Sequence, residues 1–420
     1  MAIRFALMIL ACCFSFVEAQ QSPETAALSP AEVSIRKAQE QVAKQPDHYA
    51  HYNDLAMAYA RRARETSDVS FYESAQDALK KSFALSPDNF EGLKVKTWLL
   101  LGRHEFAKAL ESATTLNKRT PDDVTVYGYL VDANAELGNY EDAVTAAQWM
   151  LNLRPGNIAG LTRAGYLREL HGDISGAVEV MQMAYDATPY QQAEDRAWLL
   201  TQLAHLHLLA GDLPKSEMYA AGALALFPNY HYALGALAKV RLAQKRYDDA
   251  VSLLQSRRQA APHAENQYAL AEAFELAGHK PEAARAFAEF EQLALRESAL
   301  ADNANHELIA YYADFAARPA EALKIARQEL SRRHDVFTLD PYAWSLAATG
   351  DFDAADVQIR KALAVGVKDP RILYHAGVIA LHRNQPDEAV RYLEQAASRF
   401  SPEAGKLLEH RTQIVRTALR

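Results

Sequence analysis

Residues 127–155 read YGYLVDANAELGNYEDAVTAAQWMLNLRP. Apolar residues return every three to four positions on both sides of Leu137-Gly138-Asn139, the pattern of two amphipathic helices joined by a tight turn. Gly138 accepts the left-handed backbone that closes a helix, Ala143 opens the second helix with a small side chain, and Pro155 stops it.

Working outward, the same device recurs. A small residue is followed twelve positions later by another in Gly165/Ala177, Ala204/Ser216, Ala238/Ala250, Ala271/Ala283, Ala343/Ala355 and Gly377/Ala389. Two helices of a hairpin approach closely only where neither carries bulk, so each interval marks one crossing. Pro87, Pro121, Pro155 and Pro189 are each 34 apart, and Pro228 and Pro262 repeat that spacing after one longer interval. Gly138, Gly172, Gly211, Gly278 and Gly350 each stand five residues before the second small residue, where the hairpin turns.

These residues resemble the tetratricopeptide repeat, a 34-residue pattern of a large apolar residue, Leu-Gly, an aromatic, Ala, Phe and Pro. Tyr127, Leu130, Val131, Gly138, Tyr140, Ala143 and Pro155 match best. Leu234, Leu237, Ala238, Tyr247, Ala250, Leu254 and Pro262 form a second match, and Tyr268, Leu270, Ala271, Phe274, Gly278, Ala283 and Phe287 a third. The resemblance implies an all-α fold, a right-handed superhelical solenoid of stacked antiparallel helix pairs. It divides the chain into an N-terminal helical segment at 20–45, about ten helix pairs over 46–402 and a capping helix at 403–420. Two places depart from the pattern. Arg61 to Ser70 spreads the first repeat by seven residues, as an extended turn or a lengthened helix end. Glu297 to Ala322 loses the Leu-Gly and the closing Pro, although Leu308, Tyr311, Tyr312 and Phe315 keep an apolar helical face.

Composition agrees with a solenoid. Half of the 420 residues are hydrophobic and 23% are charged, so the chain is not disordered, yet it exceeds what one compact core serves. Stacked repeats bury a continuous ribbon between neighbours instead.

The amino terminus is different. Arg4, the uncharged run Phe5 to Val17 and the small-residue box Val17-Glu18-Ala19 predict a signal peptide over residues 1–19, cleaved before Gln20. A run this short is a poor permanent span, so the expectation is an exported protein of the bacterial periplasm with no integral membrane span after cleavage. Cys12 and Cys13 are the only cysteines and both lie in the signal. A lipid anchor through Cys12 is the lesser alternative, since Ile9-Leu10-Ala11-Cys12 fits a lipoprotein box only in part. Cleavage at Ala19 leaves no thiol and no disulfide.

Net charge is −8, which disfavours a nucleic-acid partner, because such a surface needs a basic stripe. Residues beyond Pro402 are mildly basic, as suits a solvated capping helix. No phosphate-binding glycine loop, dinucleotide fingerprint or nucleophile elbow occurs; Gly172-Asp-Ile-Ser175-Gly has its serine out of frame and falls on a repeat turn. His104 stands where other repeats place the turn glycine. His205 and His207 point to opposite sides of a helix, His375 and His382 are two turns apart, and His48 and His51 sit near a helix start, so no histidine set predicts a metal. Glu141/Asp142 and Asp248/Asp249 open second helices, where carboxylates favour the positive helix end. The reading is of a non-enzyme without cofactor.

What remains is a surface. In the family that the chain resembles, the first helix of each pair lines a concave groove that holds a protein segment. Projection of those helices places Lys94, Trp98, Asp132, Tyr166, His205, Lys239, Tyr268, Glu272, Asp340, Trp344 and Tyr374 on the inner side. Aromatics mixed with both charge signs suit recognition of a polypeptide, though several of these can equally pack against the next repeat. The paired-lysine pattern that clamps a terminal carboxylate is absent: the first repeat has Asn53 and Met57. The expected role is an exported scaffold that binds an envelope or secreted protein through its groove. An accessory of polysaccharide or glycoconjugate export, with sugar stacked on Trp98 or Trp344, is the alternative.

Overall fold

The computed structural model describes residues 28–66 and 68–401. The predicted signal peptide, Cys12 and the predicted capping helix lie outside them. Among the described residues every regular element is helical. A leading helix α1 (Pro30–Lys44) is followed by ten antiparallel pairs: α2 (Tyr49–Thr66) with α3 (Ser70–Leu85), α4 (Phe90–Gly102) with α5 (Phe106–Arg119), α6 (Val124–Glu136) with α7 (Tyr140–Leu153), α8 (Ile158–Leu170) with α9 (Ile174–Ala187) and α10 (Ala193–Leu209) with α11 (Leu213–Leu226). The later five are α12 (His231–Ala243) with α13 (Tyr247–Ala260), α14 (Ala264–Ala277) with α15 (Lys280–Glu297), α16 (Asn305–Ala310) with α17 (Pro319–Leu330), α18 (Val336–Ala348) with α19 (Phe352–Ala364) and α20 (Pro370–His382) with α21 (Pro386–Ala397). Each helix packs on its pair-mate and on the next pair, as a solenoid requires.

The small-residue interval is a crossing point. Ala177, Ala204, Ser216, Ala238, Ala250, Ala271, Ala283, Ala343, Ala355 and Ala389 are all buried. At one crossing the Ser216 hydroxyl donates to the Ala204 carbonyl at 2.7 Å. At two others a β-carbon has no room: on Gly165 it would come within 2.8 Å of Met181 Cε, and on Gly377 within 2.7 Å of Leu393 Cγ. The prolines of the 34-residue period stand in the connections, and three are followed two residues later by a residue whose side chain caps the next helix. Asn89, Asp123 and Asn157 accept from the backbone N–H of Gly92, Val126 and Gly160 at 2.7, 3.1 and 2.7 Å. Each such cap stabilises its helix by about 1 kcal/mol.

The hairpin turn has positive φ in all nine pairs from α4/α5 onward. Glycine fills five of these positions, and His104, Lys245, Ala317 and Asn384 hold the same left-handed backbone. The first repeat resolves as a lengthened helix, with α2 running to Thr66. In the irregular repeat, α16 continues into a single π-turn at Tyr311–Phe315, and Pro319 opens α17. The wider π-turn absorbs the residue that breaks the helical phase, and keeps Leu308 and Tyr312 in the core while Phe315 is 40% exposed.

Curvature brings the chain back onto itself. The hairpin turn of α6/α7 meets the connection before α18: the Val336 N–H donates to Tyr140 Oη at 2.9 Å across 196 residues, and Arg333 pairs with Glu136 at 3.5 Å. The neighbouring turns repeat this contact one step along. His104 lies 3.6 Å from Asp302, Gly172 abuts the Gly366 backbone, and Gly211 approaches the Ser398 carbonyl. One hydrophobic cluster accordingly joins Val131, Leu167 and Leu170 to Val336, Leu346 and Ile379. Nearer the N-terminus the long α2 reaches across, and Arg64 pairs with Glu194 and with Asp195. Successive superhelical turns therefore touch along a seam.

The seam separates two kinds of turn glycine. A β-carbon on Gly278 meets nothing within 4 Å, so Gly278→Ala adds only the left-handed backbone penalty, about 1 kcal/mol. On Gly172 it would collide with the Gly366 carbonyl oxygen as well. Gly172→Ala is expected to cost at least about 2 kcal/mol. Urea unfolding of the two variants checks this; equal midpoints would remove the seam from the stability of the fold.

Candidate functional site

The first helices form the inner wall, and most of their polar side chains hold one repeat to the next. Asn53 Nδ2 donates to Asn89 Oδ1 at 2.9 Å, Lys94 pairs with Asp123 at 3.0 Å, Arg163 with Asp132 at 2.5 Å, His205 with Glu169 at 2.8 Å, and His375 with Asp340 at 2.8 Å. Trp344 donates its Nε1–H to Asp314 at 2.7 Å and stacks on His375 at 4.1 Å, with Tyr374 beside it. The helix-to-helix braces thus account for Lys94, Asp132, His205, Asp340 and Trp344 among the residues projected inward. Trp98 packs between two hydrophobic clusters, and Tyr268 is buried against Phe287 and Phe290. Glu272 pairs with Arg371 at 3.4 Å, linking α14 to α20 across 99 residues. That bond, led by the Glu272 charge, holds the Arg371 guanidinium above its usual range.

Two features of the wall stay open. Lys239 on α12 is exposed and makes no hydrogen bond or ion pair among the described residues. The surrounding protein, and then Arg257, lower its pKa. The second is a cavity of ≈ 410 Å³ where the seam crosses the wall, lined by Leu101, His104, Phe106, Asp132, Glu136, Tyr166 and Arg333. A larger one of ≈ 510 Å³ lies further along the seam, between the α8/α9 turn and Lys368, Ser398 and Arg399. Only the first joins carboxylates, a guanidinium and aromatic faces, and it contains Asp132 and Tyr166, two of the eleven inward positions.

Its electrostatics follow from crowding. Burial, reinforced by the Asp335 charge and opposed by Arg333, pushes the Glu136 carboxyl to about 7. Burial also raises Asp335, against Arg333 and the helix N–H groups that it caps, and lifts the Tyr166 hydroxyl well above its ordinary value. Burial lowers the His104 imidazole. The pocket is therefore lined by an imidazole that burial keeps neutral, a phenol, one guanidinium, the Asp132 side chain that pairs with Arg163, and a Glu136 carboxyl that burial biases toward its protonated form. It suits a cationic or hydrogen-bonding side chain better than an anion.

Sequence reading found Asp132 and Tyr166 but missed Glu136, Phe106 and Arg333. His104 was legible only as a turn residue. Arg333 lies in a connection, and nothing in a 34-residue period announces that it meets a helix one superhelical turn away.

The tetratricopeptide-repeat family profile matches residues 98–158 and 343–405, the second match running four residues past the described ones. The chain carries tetratricopeptide repeats. Among solved structures, the human IFIT1 dimer with m7Gppp-AAAA is similar at 13% identity, covering 86% of this chain and 84% of that one, with a TM-score of 0.51. The same human protein with PPP-AAAA gives 13% identity, the same coverage and 0.50. A tetratricopeptide repeat protein from Parabacteroides merdae is 16% identical over 63% of this chain and 99% of its own, with a TM-score of 0.36. At these identities the likeness is one of fold. No curated protein matches the sequence. Among the described residues no helix is long and apolar enough to cross a membrane.

The raised Glu136 carboxyl has a stability signature. An acid whose folded pKa lies above its unfolded value of 4.5 stabilises the fold fully below 4.5, and this is lost as pH rises through about 7. Glu136→Gln should thus gain more over the parent at pH 8 than at pH 5, read as the difference in urea midpoint. His231, lowered by burial to about 4, acts in the opposite sense in both proteins and cancels from the comparison. The same gain at both pH values would refute the assignment.

Proposed function

We propose that this tetratricopeptide-repeat protein is an exported, non-enzymatic scaffold that holds an extended segment of another envelope or secreted protein against its inner wall. The observation that carries the reading is the ≈ 410 Å³ cavity at Asp132, Glu136 and Tyr166, whose volume matches a side-chain pocket rather than a whole folded partner. A Lys or Arg of the segment seats beside Glu136, and the Phe106 and Tyr166 rings pack its methylene stem. Lys239 supplies the opposite charge further along the wall, for an acidic residue of the same segment. Binding through two separated pockets of opposite sign fixes the direction of the bound chain. Export rests on the signal-like residues 1–19.

The test uses a photo-crosslinking residue at Lys239 in cells, with the same probe at the exposed Lys108 on α5 as control. A single protein captured from position 239 and not from 108 is expected. Asp132→Ala combined with Glu136→Gln should lower that yield at least about tenfold with unchanged helical circular dichroism. Unchanged capture by the double variant would exclude the cavity as the anchor. Fractionation and N-terminal sequencing test export, with Gln20 as the expected first residue; a cytoplasmic chain retaining residues 1–19 would end that part of the reading.

A further inference from the structure

The outer face is not uniform. Counting six residues on from the buried small residue at each crossing reaches an outward position on every second helix. In seven of the ten pairs that position is polar, with Lys81, Glu289 and Lys361 among them. In the three consecutive pairs α6/α7, α8/α9 and α10/α11 it holds Trp149, Met183 and Gly222. Four residues further along, on the same side of each helix, stand Leu153, Ala187 and Leu226, and Met218 precedes Gly222 by one turn. Trp149 is 50%, Met183 48% and Met218 58% exposed. Tyr219 on α11 donates to Gln182 Oε1 on α9 at 3.1 Å, which ties two of these helices together. Together the half-exposed apolar side chains of the three helices present on the order of 500 Å² of apolar surface on this side.

Gly222 adds a second observation. A β-carbon there would meet only Leu200 Cδ1, at an ordinary 3.5 Å, so internal packing does not require glycine. In mid-helix it weakens the helix and leaves a notch between Met218 and Leu226 that opens outward.

The charges on these three helices are mostly acidic. Helices α7, α9 and α11 carry five carboxylates and a single cation, Lys215. Glu217 is taken up by Arg241, whereas Glu141, Asp142, Glu179 and Asp186 have no cation within ion-pair distance among the described residues. An acidic rim repels anionic lipid, and in a two-fold contact between copies it would face itself. A partner with positive charge flanking an apolar stripe complements it. Exposed methionines adapt to such a stripe by changing rotamer, and the groove between neighbouring helices accepts a helix ridge.

We propose that the outer face of α7, α9 and α11 is a second docking surface, for a basic amphipathic helix of a partner protein, independent of the inner wall. The apolar stripe lies across Trp149, Met183 and Met218, closest at Gly222, and its Lys or Arg residues pair with Glu141, Glu179 and Asp186.

The test is fluorescence anisotropy of a labelled 18-residue peptide with Leu at helical spacing and Lys elsewhere, titrated with the full chain, beside an otherwise identical peptide bearing Glu for Lys. Saturable binding of the Lys peptide, weakened as salt rises, and none of the Glu peptide are expected. Met183→Glu with Met218→Glu should weaken binding at least tenfold, Glu179→Lys severalfold, and Lys81→Glu, at the same register in the first pair, should not weaken it. All four positions are exposed, so circular dichroism should stay unchanged. Equal binding by the methionine variant, or equal binding of both peptides, overturns the proposal. So does a dimer in sedimentation velocity that Met218→Glu dissociates, since the face would then be filled by a second copy.

Discussion

The contact between one superhelical turn and the next governs this molecule. A repeat array ordinarily gains its stability from nearest neighbours, and its ends do not feel each other. Here the hairpin turns of four successive pairs meet connections on the far side of a full superhelical turn. Tyr140 receiving the Val336 N–H, Glu136 facing Arg333 and His104 facing Asp302 are polar members of that seam. The close approach is possible because the residues at the contact are small: Gly138 stands against the His334 carbonyl and Gly172 against Gly366. The turn glycines thus serve two geometries, the left-handed backbone of a hairpin and the approach of a remote chain.

The hairpin architecture was legible because it is local. Gly165 and Ala177, or Ala204 and Ser216, meet in the structure at the interval that the sequence shows, and the proline period falls in the connections. Four turns were less visible, since His104, Lys245, Ala317 and Asn384 adopt the conformation that glycine makes easy. The seam was not legible at all. It depends on the curvature summed over five or six pairs, and a small error in the angle between repeats accumulates before the chain returns. Residues such as Asp302 and Arg333 carry no pattern of the 34-residue period, and the returning turn brings them His104 and Glu136.

The same distinction explains the fate of the inward residues. Projection onto a helical wheel tells which side a residue faces, but not whether a neighbouring first helix already satisfies it. Asp340 faces inward and is buried on His375; Trp344 faces inward and is covered on one side by the same ring. Lys239 faces inward and has no such partner among the described residues. For a narrow superhelix, a polar group on the inner wall is therefore more often a brace between repeats than a ligand contact, and the exceptions are the informative positions.

A closed seam also changes what the two faces can do. The returning turn packs against the hairpin turns of successive pairs, which restricts access to the inner wall from that side. The outer side of the second helices meets no such restriction, and a folded helix can lie on it without any rearrangement of the repeats. The array's charge and apolar surface are distributed accordingly: mixed signs with small pockets inside, and an apolar, acid-rimmed strip on three consecutive second helices outside. A solenoid whose turns are locked together can keep both surfaces at fixed separation, whereas an open one would let them move with every flexing of the stack.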